Sequence, residues 1–523
     1  MLGRWLAVLS LVTAASSARA DDAAPAAPYV PPDFLSATPP LPDTVDAANT
    51  LRLDLPQALQ MAVRQNLGVT LERRETHIAE LGVDVARGLF EPEVDATYAH
   101  GSSRTPPSSA QEGMAGEILR FTDDRWDLSI NQRLATGMQL SATWTSSRSD
   151  SSLGTAVEPI NYRSALTVGI RQPLLRGFSF DLDLPQLSVL QARISSERER
   201  RQLSVVVAEV VERTEAAYWE VLRALYNYDL QRRSQKRAEE QLDLTKRQIA
   251  AGAIPPADLI SAESTLAQRQ LQVVQAEQLI EASWDQLRSI INMPRDEWTK
   301  PILPVDVPHF EPHALPAAQA LETALKHRPE IEQIDLELRA SELSVRKADN
   351  DKLPQIDLGL SGSVVGQDGQ YSGALSQLGG FEARGWNVFV NFTWTPLRRA
   401  TSAQAEIERT RHEIATARRE QLVQQIWLAV REAVRNQDNA ARQVAAAAHF
   451  RQIAEKTLEV EQRKFLNGSS SQVVVAQRQE ELAAAQIAEV GAVLDHTKAV
   501  AALGRATGEL LGQKHIELSV GAK

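Results

Sequence analysis

Few side chains in this sequence are placed to do chemistry. His309 and His313 stand four apart in HFEPH, a metal-ligand spacing on a helix. Two prolines flank them and no third ligand is near, so solvent-facing histidines are the better account. Glu480 and Glu481 lie among Arg and Lys on a helical face, the pattern of solvated ion pairs rather than of acid–base catalysts. The 523 residues include no cysteine, which excludes disulfides, thiolate metal sites and cysteine nucleophiles together. No Ser-His-Asp order, phosphate loop or zinc helix occurs. The expectation is no enzyme, no catalytic residue, no cofactor and no bound metal, and attention passes to the long-range pattern.

The formal charge is -11, so the basic footprint of a nucleic-acid-binding protein is missing. At the N-terminus Arg4 precedes the apolar run LAVLSLVTAA (6–15), followed by Ala18-Arg19-Ala20 and then Asp21-Asp22. That is a positive n-region, a short h-region and an A-x-A cleavage signal, so residues 1–20 read as a secretory signal peptide. About ten apolar residues are too few to span roughly 30 Å of hydrocarbon. With no cysteine after the signal, an N-terminal lipid anchor is excluded. No later segment has eighteen consecutive apolar residues, so any passage through a bilayer must be made by strands. Residues 21–50, rich in Ala, Pro and Asp, read as an extended leader.

The rest of the chain is duplicated. Ala58-Leu59 and Ala62 match Ala320-Leu321 and Ala324 at an offset of 262, and Pro92 and Asp95 match Pro354 and Asp357 at the same offset. Pro173 corresponds to Pro396 at an offset of 223, so the first copy carries 39 extra residues between its junctions. Gly252 corresponds to Gly468. The copies span 51–291 and 316–512, joined by 292–315 and followed by a tail, 513–523. Each reads as a shorter helix, strands, a long helix, a Gly turn and a shorter helix.

Residues 186–251 and 398–467 contain neither Gly nor Pro. At 1.5 Å per residue each predicts a helix on the order of 100 Å long. Leu203, Val207, Val210, Thr214, Ala217 and Val221 alternate steps of four and three, the seam of a coiled coil. Half-length helices at about 54–91 and 257–291, and again at 316–352 and 469–507, laid end to end match one long helix. Pro329 should kink the first helix of the second copy.

Between the helices the residues alternate with period two. In GWNVFVNFTWTP (385–396) Trp386, Val388, Val390, Phe392 and Trp394 share one face, opposite Asn387, Phe389, Asn391, Thr393 and Thr395. Trp386 and Trp394, about 27 Å apart along a strand, become about 20 Å of height when tilted by roughly 40°. That is close to the apolar band of about 25 Å between the aromatic girdles of a membrane barrel. Trp126 and Trp144 are further girdle candidates. Two strands per copy make four per chain, fewer than any closed barrel, and an open edge cannot face lipid. Closure therefore demands several chains. The competing reading is a soluble periplasmic coiled-coil adaptor or scaffold whose strands form a small sandwich.

The duplicated Ala-Leu-x-x-Ala openings, the Pro-x-x-Asp junctions, Gln172-Pro173-Leu174, Thr395-Pro396-Leu397 and GAIPPADLISAESTLAQ (252–268) together resemble the TolC-type outer-membrane efflux channels, over about 51–512. The resemblance implies a mixed, mostly α fold: tandem long coiled-coil helices forming a periplasmic α-barrel, and strands contributing to a β-barrel shared by a homotrimer in outer-membrane lipid. It implies a passive exit duct of a tripartite efflux or type I secretion system, docked on a periplasmic adaptor and an inner-membrane transporter. Residues 292–315 would lie at the equator of the α-barrel.

Two departures from the family pattern matter. The 39 extra residues hold a hairpin at 126–146, which either extends an extracellular loop or inserts two more strands for eighteen per trimer. The loop is favoured here, because the α-barrel still supplies twelve helices. The second concerns the gate, where the resemblance places the turns at Gly252 and Gly468 in the periplasmic tip. Where some members carry an acidic, cation-binding ring, this chain has Val474 and Gln477, preceded by Phe465 and by Ser469, Ser470 and Ser471. Asp258 alone keeps a carboxylate, either as a ring or as the N-cap of its helix. The implied gate is a constriction closed by packing and hydrogen bonds.

Overall fold

A computed structural model describes residues 32, 39–42, 50–106, 118–152, 160–252, 255–311 and 315–517. The signal-peptide segment, nearly all of the leader, His313 and the end of the tail lie outside them. In chain order the elements are β1 (Leu51–Leu53), α1 (Leu55–Gln65), α2 (Leu67–Arg87), β2 (Glu93–Thr105), β3 (Leu119–Arg133), β4 (Gln139–Ser151), β5 (Ile160–Pro173), α3 (Leu187–Ala250) and α4 (Ala257–Ile290). They continue with β6 (Ile302–Pro304), α5 (Ala317–His327), α6 (Pro329–Asn350), β7 (Gln355–Asp368), α7 (Tyr371–Gly379), β8 (Ala383–Thr393), α8 (Arg399–Leu466), α9 (Gln472–Thr507) and α10 (Leu510–Gln513).

The two long helices have 64 and 68 residues. At 1.5 Å per residue both are about 100 Å long. All six seam residues of α3 are buried. Burying a side chain such as Leu203 or Val207 stabilises the bundle by about 1.5–3 kcal/mol. The half-length helices line the long ones as their lengths require. Arg200 of α3 pairs with Glu80 of α2 at 2.8 Å, and Arg419 of α8 with Asp335 of α6 at 2.7 Å. Farther along, Arg451 of α8 reaches Glu489 of α9 at 2.6 Å. The copies lie side by side: Arg505 of α9 meets Glu212 of α3 at 2.6 Å, and Gln333 of α6 donates to Gln202 of α3 at 3.0 Å.

Pro329 does more than kink a helix. The chain breaks completely at Arg328, whose ψ of 123° is extended, and Pro329 opens α6 at a position where its missing N–H costs nothing. The first copy breaks at the equivalent place without a proline. Asn66 ends α1 and caps α2, accepting from the N–H groups of Gly68 (2.8 Å) and Val69 (3.2 Å).

The largest core surrounds the middle of α3. There Tyr218, Leu222, Leu225 and Tyr226 meet Ile280, Trp284 and Leu287 of α4, and Val493 of the second copy. The segment between the copies is built into this core. β6 pairs in parallel with β1, and Trp284 donates its Nε1–H to the Ile302 oxygen at 2.8 Å. Tyr218 donates to Leu53 O (3.0 Å) and is hydrogen-bonded to Asp306.

The strands form one six-stranded antiparallel sheet in the order β2-β3-β4-β5-β7-β8. This overturns the loop reading of the extra hairpin. β3 and β4 are full members of the sheet, inserted between β2 and β5, and their amphipathic period two suits them to it. Their turn is not extracellular either. Gly137 (φ +83°) lies against Pro185 and Gly177, and Gln172 donates to Thr136 O, all at the helix-bearing end of the sheet.

At the far end α7 crosses the sheet over β5 and β7. Tyr371 stands edge-on to Tyr162, and Gly366 lets the helix approach so closely that a Cβ there would come within 1.9 Å of the Ala374 oxygen.

Candidate functional site

Two surfaces carry the functional argument: the sheet and the helical tips. The register sorts every strand residue onto one of two faces. Val94, Ala96 and Tyr98 of β2 share a face with Trp126, Leu128 and Ile130 of β3, Ala142 and Trp144 of β4, and Leu166, Val168 and Ile170 of β5. Leu358 and Leu360 of β7 and Trp386, Val388, Val390 and Phe392 of β8 complete it. The opposite face carries Asp95, Thr97, Asp127, Ser129, Asn131, Ser141, Thr143, Thr167, Arg171, Asp357, Ser361, Asn387 and Asn391. One face suits hydrocarbon and the other water.

The aromatic candidates all fall on the apolar side. Trp386 is 80% exposed. Trp126 packs against Tyr98, ring centroids 5.6 Å apart and planes tilted by 35°, and Trp144 donates to Ser164 at 2.9 Å. Trp394 lies one residue past β8, with the Arg398 guanidinium 5.6 Å from its ring. An Arg–Trp pair at the end of a strand suits a membrane interface, where one partner needs water and the other does not. Phe389 is a large apolar side chain on the polar side. It lies across Gly359, where a Cβ would meet the ring at 2.2 Å.

At the other end, each helical hairpin turns on a left-handed glycine: Gly252 at φ +74° and Gly468 at φ +72°. A side chain at either would be strained, so glycine is the residue for both turns. The Ser469 N–H closes the second turn on Lys464 O at 2.9 Å. Ser470 donates to Glu461, and that bond together with Lys464 holds the Glu461 carboxyl below its usual range.

Asp258 is not the N-cap of α4. Pro256 holds that position and no side chain caps the helix; Asp258 sits in the first turn, where the helix dipole favours its charge. Its neighbours come from the other hairpin. A cleft of about 90 Å³ between the tips is lined by Asp258, Ser261, Thr265, Ser471, Gln472 and Val473. Gln472 bridges the hairpins, donating to the Thr245 hydroxyl at 2.8 Å.

The other gate candidates are spread out. Phe465 packs against the small cluster of Ala454, Leu458, Val475 and Leu482 inside its own hairpin. Val474 is half-buried and Gln477 is exposed, 3.4 Å from Glu481. Among the described residues no group of three metal-ligating side chains comes together, and no helix is long and apolar enough to cross a membrane.

The family model of the outer membrane efflux proteins matches residues 132–293 and 320–509, well over half of the chain and in both copies. The chain belongs to the outer membrane efflux protein family. It is therefore an outer-membrane efflux channel, with most of its length in the periplasm. A search of curated proteins found no match.

Solved structures share the channel's fold. The CmeC outer membrane channel of Campylobacter jejuni superposes with a TM-score of 0.64 at 15% identity, covering 87% of this chain and 86% of that one. A membrane protein from Pseudomonas aeruginosa gives 0.65 at 18% identity, with 91% and 92% covered. The open state of the MtrE outer membrane channel of Neisseria gonorrhoeae gives 0.60 at 16%, with 87% and 89% covered.

Sequence reasoning missed Glu461, Thr245 and Gln472 at the channel's tips. Each is one polar residue among dozens on long helices, and only the pairing of the hairpins brings them together.

Proposed function

We propose that three copies close into one continuous duct, through the outer membrane by strands and across the periplasm by helices. The duct passes its cargo passively, and its tips dock on a periplasmic adaptor and an inner-membrane transporter of an efflux or type I secretion system. The carrying observation is one sheet, apolar on one face, polar on the other and open at both edges, joined directly to helices of 64 and 68 residues. An open sheet cannot sit in lipid with its edge amides unpaired.

In this reading the two tips form the gate. Gly252 and Gly468 set the turns, and Ser470 and Gln472 hold them by hydrogen bonds. Phe465 and Val474 supply packing, Gln477 stays solvated, and Asp258 supplies the one carboxylate of the cleft.

Membrane fractionation and heat-modifiable migration test the reading. A trimer in the outer-membrane fraction that falls to monomer on boiling is expected; a freely soluble mature monomer would favour an adaptor instead. Crosslinking from the two tips should capture an adaptor and a pump.

A further inference from the structure

We propose that this channel closes in the membrane as an eighteen-stranded barrel, with β8 of each copy paired antiparallel to β2 of the next. The inference rests on the trimeric duct proposed above.

The edges are prepared for that partner. β2 and β8 are the two ends of the sheet, and every residue of both is exposed. Both carry the same division of faces, Val94, Ala96 and Tyr98 on β2 and Val388, Val390 and Phe392 on β8, so a second copy continues both surfaces without a break. β2 runs away from the helices and β8 toward them, as an antiparallel junction requires.

The register supplies the tilt. Glu93 pairs with Asn131, that with Ser141, that with Gly169, and that with Ser361. The counterpart of Glu93 in the second copy is Gln355, six residues nearer the helices than Ser361. Equivalent junctions lie at equivalent heights, so the sheet shifts six residues over four strand steps. That is about 20 Å along the strands against about 19 Å across them, a tilt of about 45°. Membrane barrels tilt by roughly 35–45°.

Six strands per chain make eighteen in a trimer, and the girth of that wall matches the helical ring. At that tilt each strand occupies about 6.8 Å of circumference, so eighteen strands make about 120 Å and twelve about 80 Å. Twelve helices spaced about 10 Å apart make a ring of about 120 Å. Eighteen strands therefore meet the helical ring edge to edge.

The first copy also carries a bridge for the wider wall. Thirteen residues (174–186) connect β5 to α3, against five (394–398) from β8 to α8. The bridge is clamped: Arg346 holds Asp181 and Asp183, and Asn350 accepts from Gly177 N at 2.7 Å and donates to Leu175 O at 3.1 Å. The turn of the β3–β4 hairpin rests against it through Gly137.

Cryo-electron microscopy of the detergent-solubilised full chain, viewed down the threefold axis, counts the strands. Eighteen strands in a wall about 39 Å across are expected from that spacing and tilt. A membrane trimer with twelve strands and residues 119–151 outside the wall would overturn the inference while sparing the duct. A chain that forms no membrane trimer would overturn both.

A second test uses the absence of native cysteine. Thr143 and Thr167 lie directly opposite on the polar face of β4 and β5. Thr143→Cys with Thr167→Cys should form an internal disulfide in nearly all of the assembled trimer; persistent free thiols in a correctly assembled trimer would count against the pairing. Extending the shift places Trp394 level with Val94 to Ala96 of the next copy. Asn391→Cys with Thr97→Cys or Ala99→Cys should therefore yield a covalent trimer on oxidation, and monomer from both pairs would exclude the β8–β2 junction.

Discussion

The side-chain amide of Asn66 donates to the main-chain oxygen of Ile290 at 2.7 Å, fastening the end of α4 to the break between α1 and α2. The second copy builds the same joint differently. Its break at Arg328 lies against Gly508, the left-handed C-cap of α9, so closely that a Cβ there would come within 2.8 Å of His327. Each long helix is thus faced by two shorter segments that meet at a fixed seam.

Asn66→Ala removes both the cap of α2 and the bond to Ile290. It should lower stability by about 1–2 kcal/mol, read as a shift in the urea midpoint followed by circular dichroism. Gly508→Ala forces a side chain into left-handed backbone against the other helix and should cost at least as much. No change in either midpoint would mean that the seams do not carry load.

Glu489 is fully buried and receives the Arg451 Nε–H at 2.6 Å. Arg451→Met leaves a carboxylate in the core short of its cation, at a cost of about 3–5 kcal/mol. Adding Glu489→Leu should restore most of that loss, because the remaining charge has gone. A double mutant no better than the single would show that the pair is not energetically coupled.

His496 is buried against Phe310, with neither ring nitrogen hydrogen-bonded, and burial holds its pKa below the ordinary value near 6.5. Below that pH the unfolded chain binds a proton that the folded chain refuses, so stability is complete above about 6.5 and falls as the pH drops. The melting temperature should decrease from about pH 7.5 to about 5.5, and His496→Leu should flatten the dependence. Asp181, drawn to about 2 by Ser179 and Arg346, titrates below this window.

Asp258 supplies the carboxylate of the cleft between the tips. In planar bilayers Asp258→Ala should abolish whatever weak divalent-cation block the channel shows and leave its conductance in monovalent salt unchanged. Strong block that survives the substitution would point to other ligands, with Glu461 the next to replace.

Much of this architecture was legible because it rests on long-range regularities. Two runs free of Gly and Pro specify the long helices, and a four–three seam specifies what they bury. The offset shared by Pro92 and Pro354 specifies two copies. The fate of the 126–146 hairpin was not legible, since alternating residues such as Trp126, Leu128 and Ile130 look alike in a barrel wall and in a loop above it. Only pairing separates the two. Asn66 was missed for a related reason: proline announces a break, whereas an asparagine ends a helix only where a neighbour such as Ile290 rewards it. Asp258 was found as a tip carboxylate and Glu461 was not, and the company of Asp258 with Ser471, Gln472 and Val473 depends on hairpins whose juxtaposition no local pattern encodes.

The short parallel ladder of β1 and β6 joins Leu51 to Ile302, 251 residues away along the chain. No part of that ladder can form until synthesis has passed Pro304, which at 5–20 residues per second takes roughly 10–50 s after Leu51 is made. Throughout that interval the apolar surface around Leu53 and Tyr218 has no lid. The first copy therefore cannot close its core alone: Leu53 and Tyr218 wait for the segment that joins the two repeats.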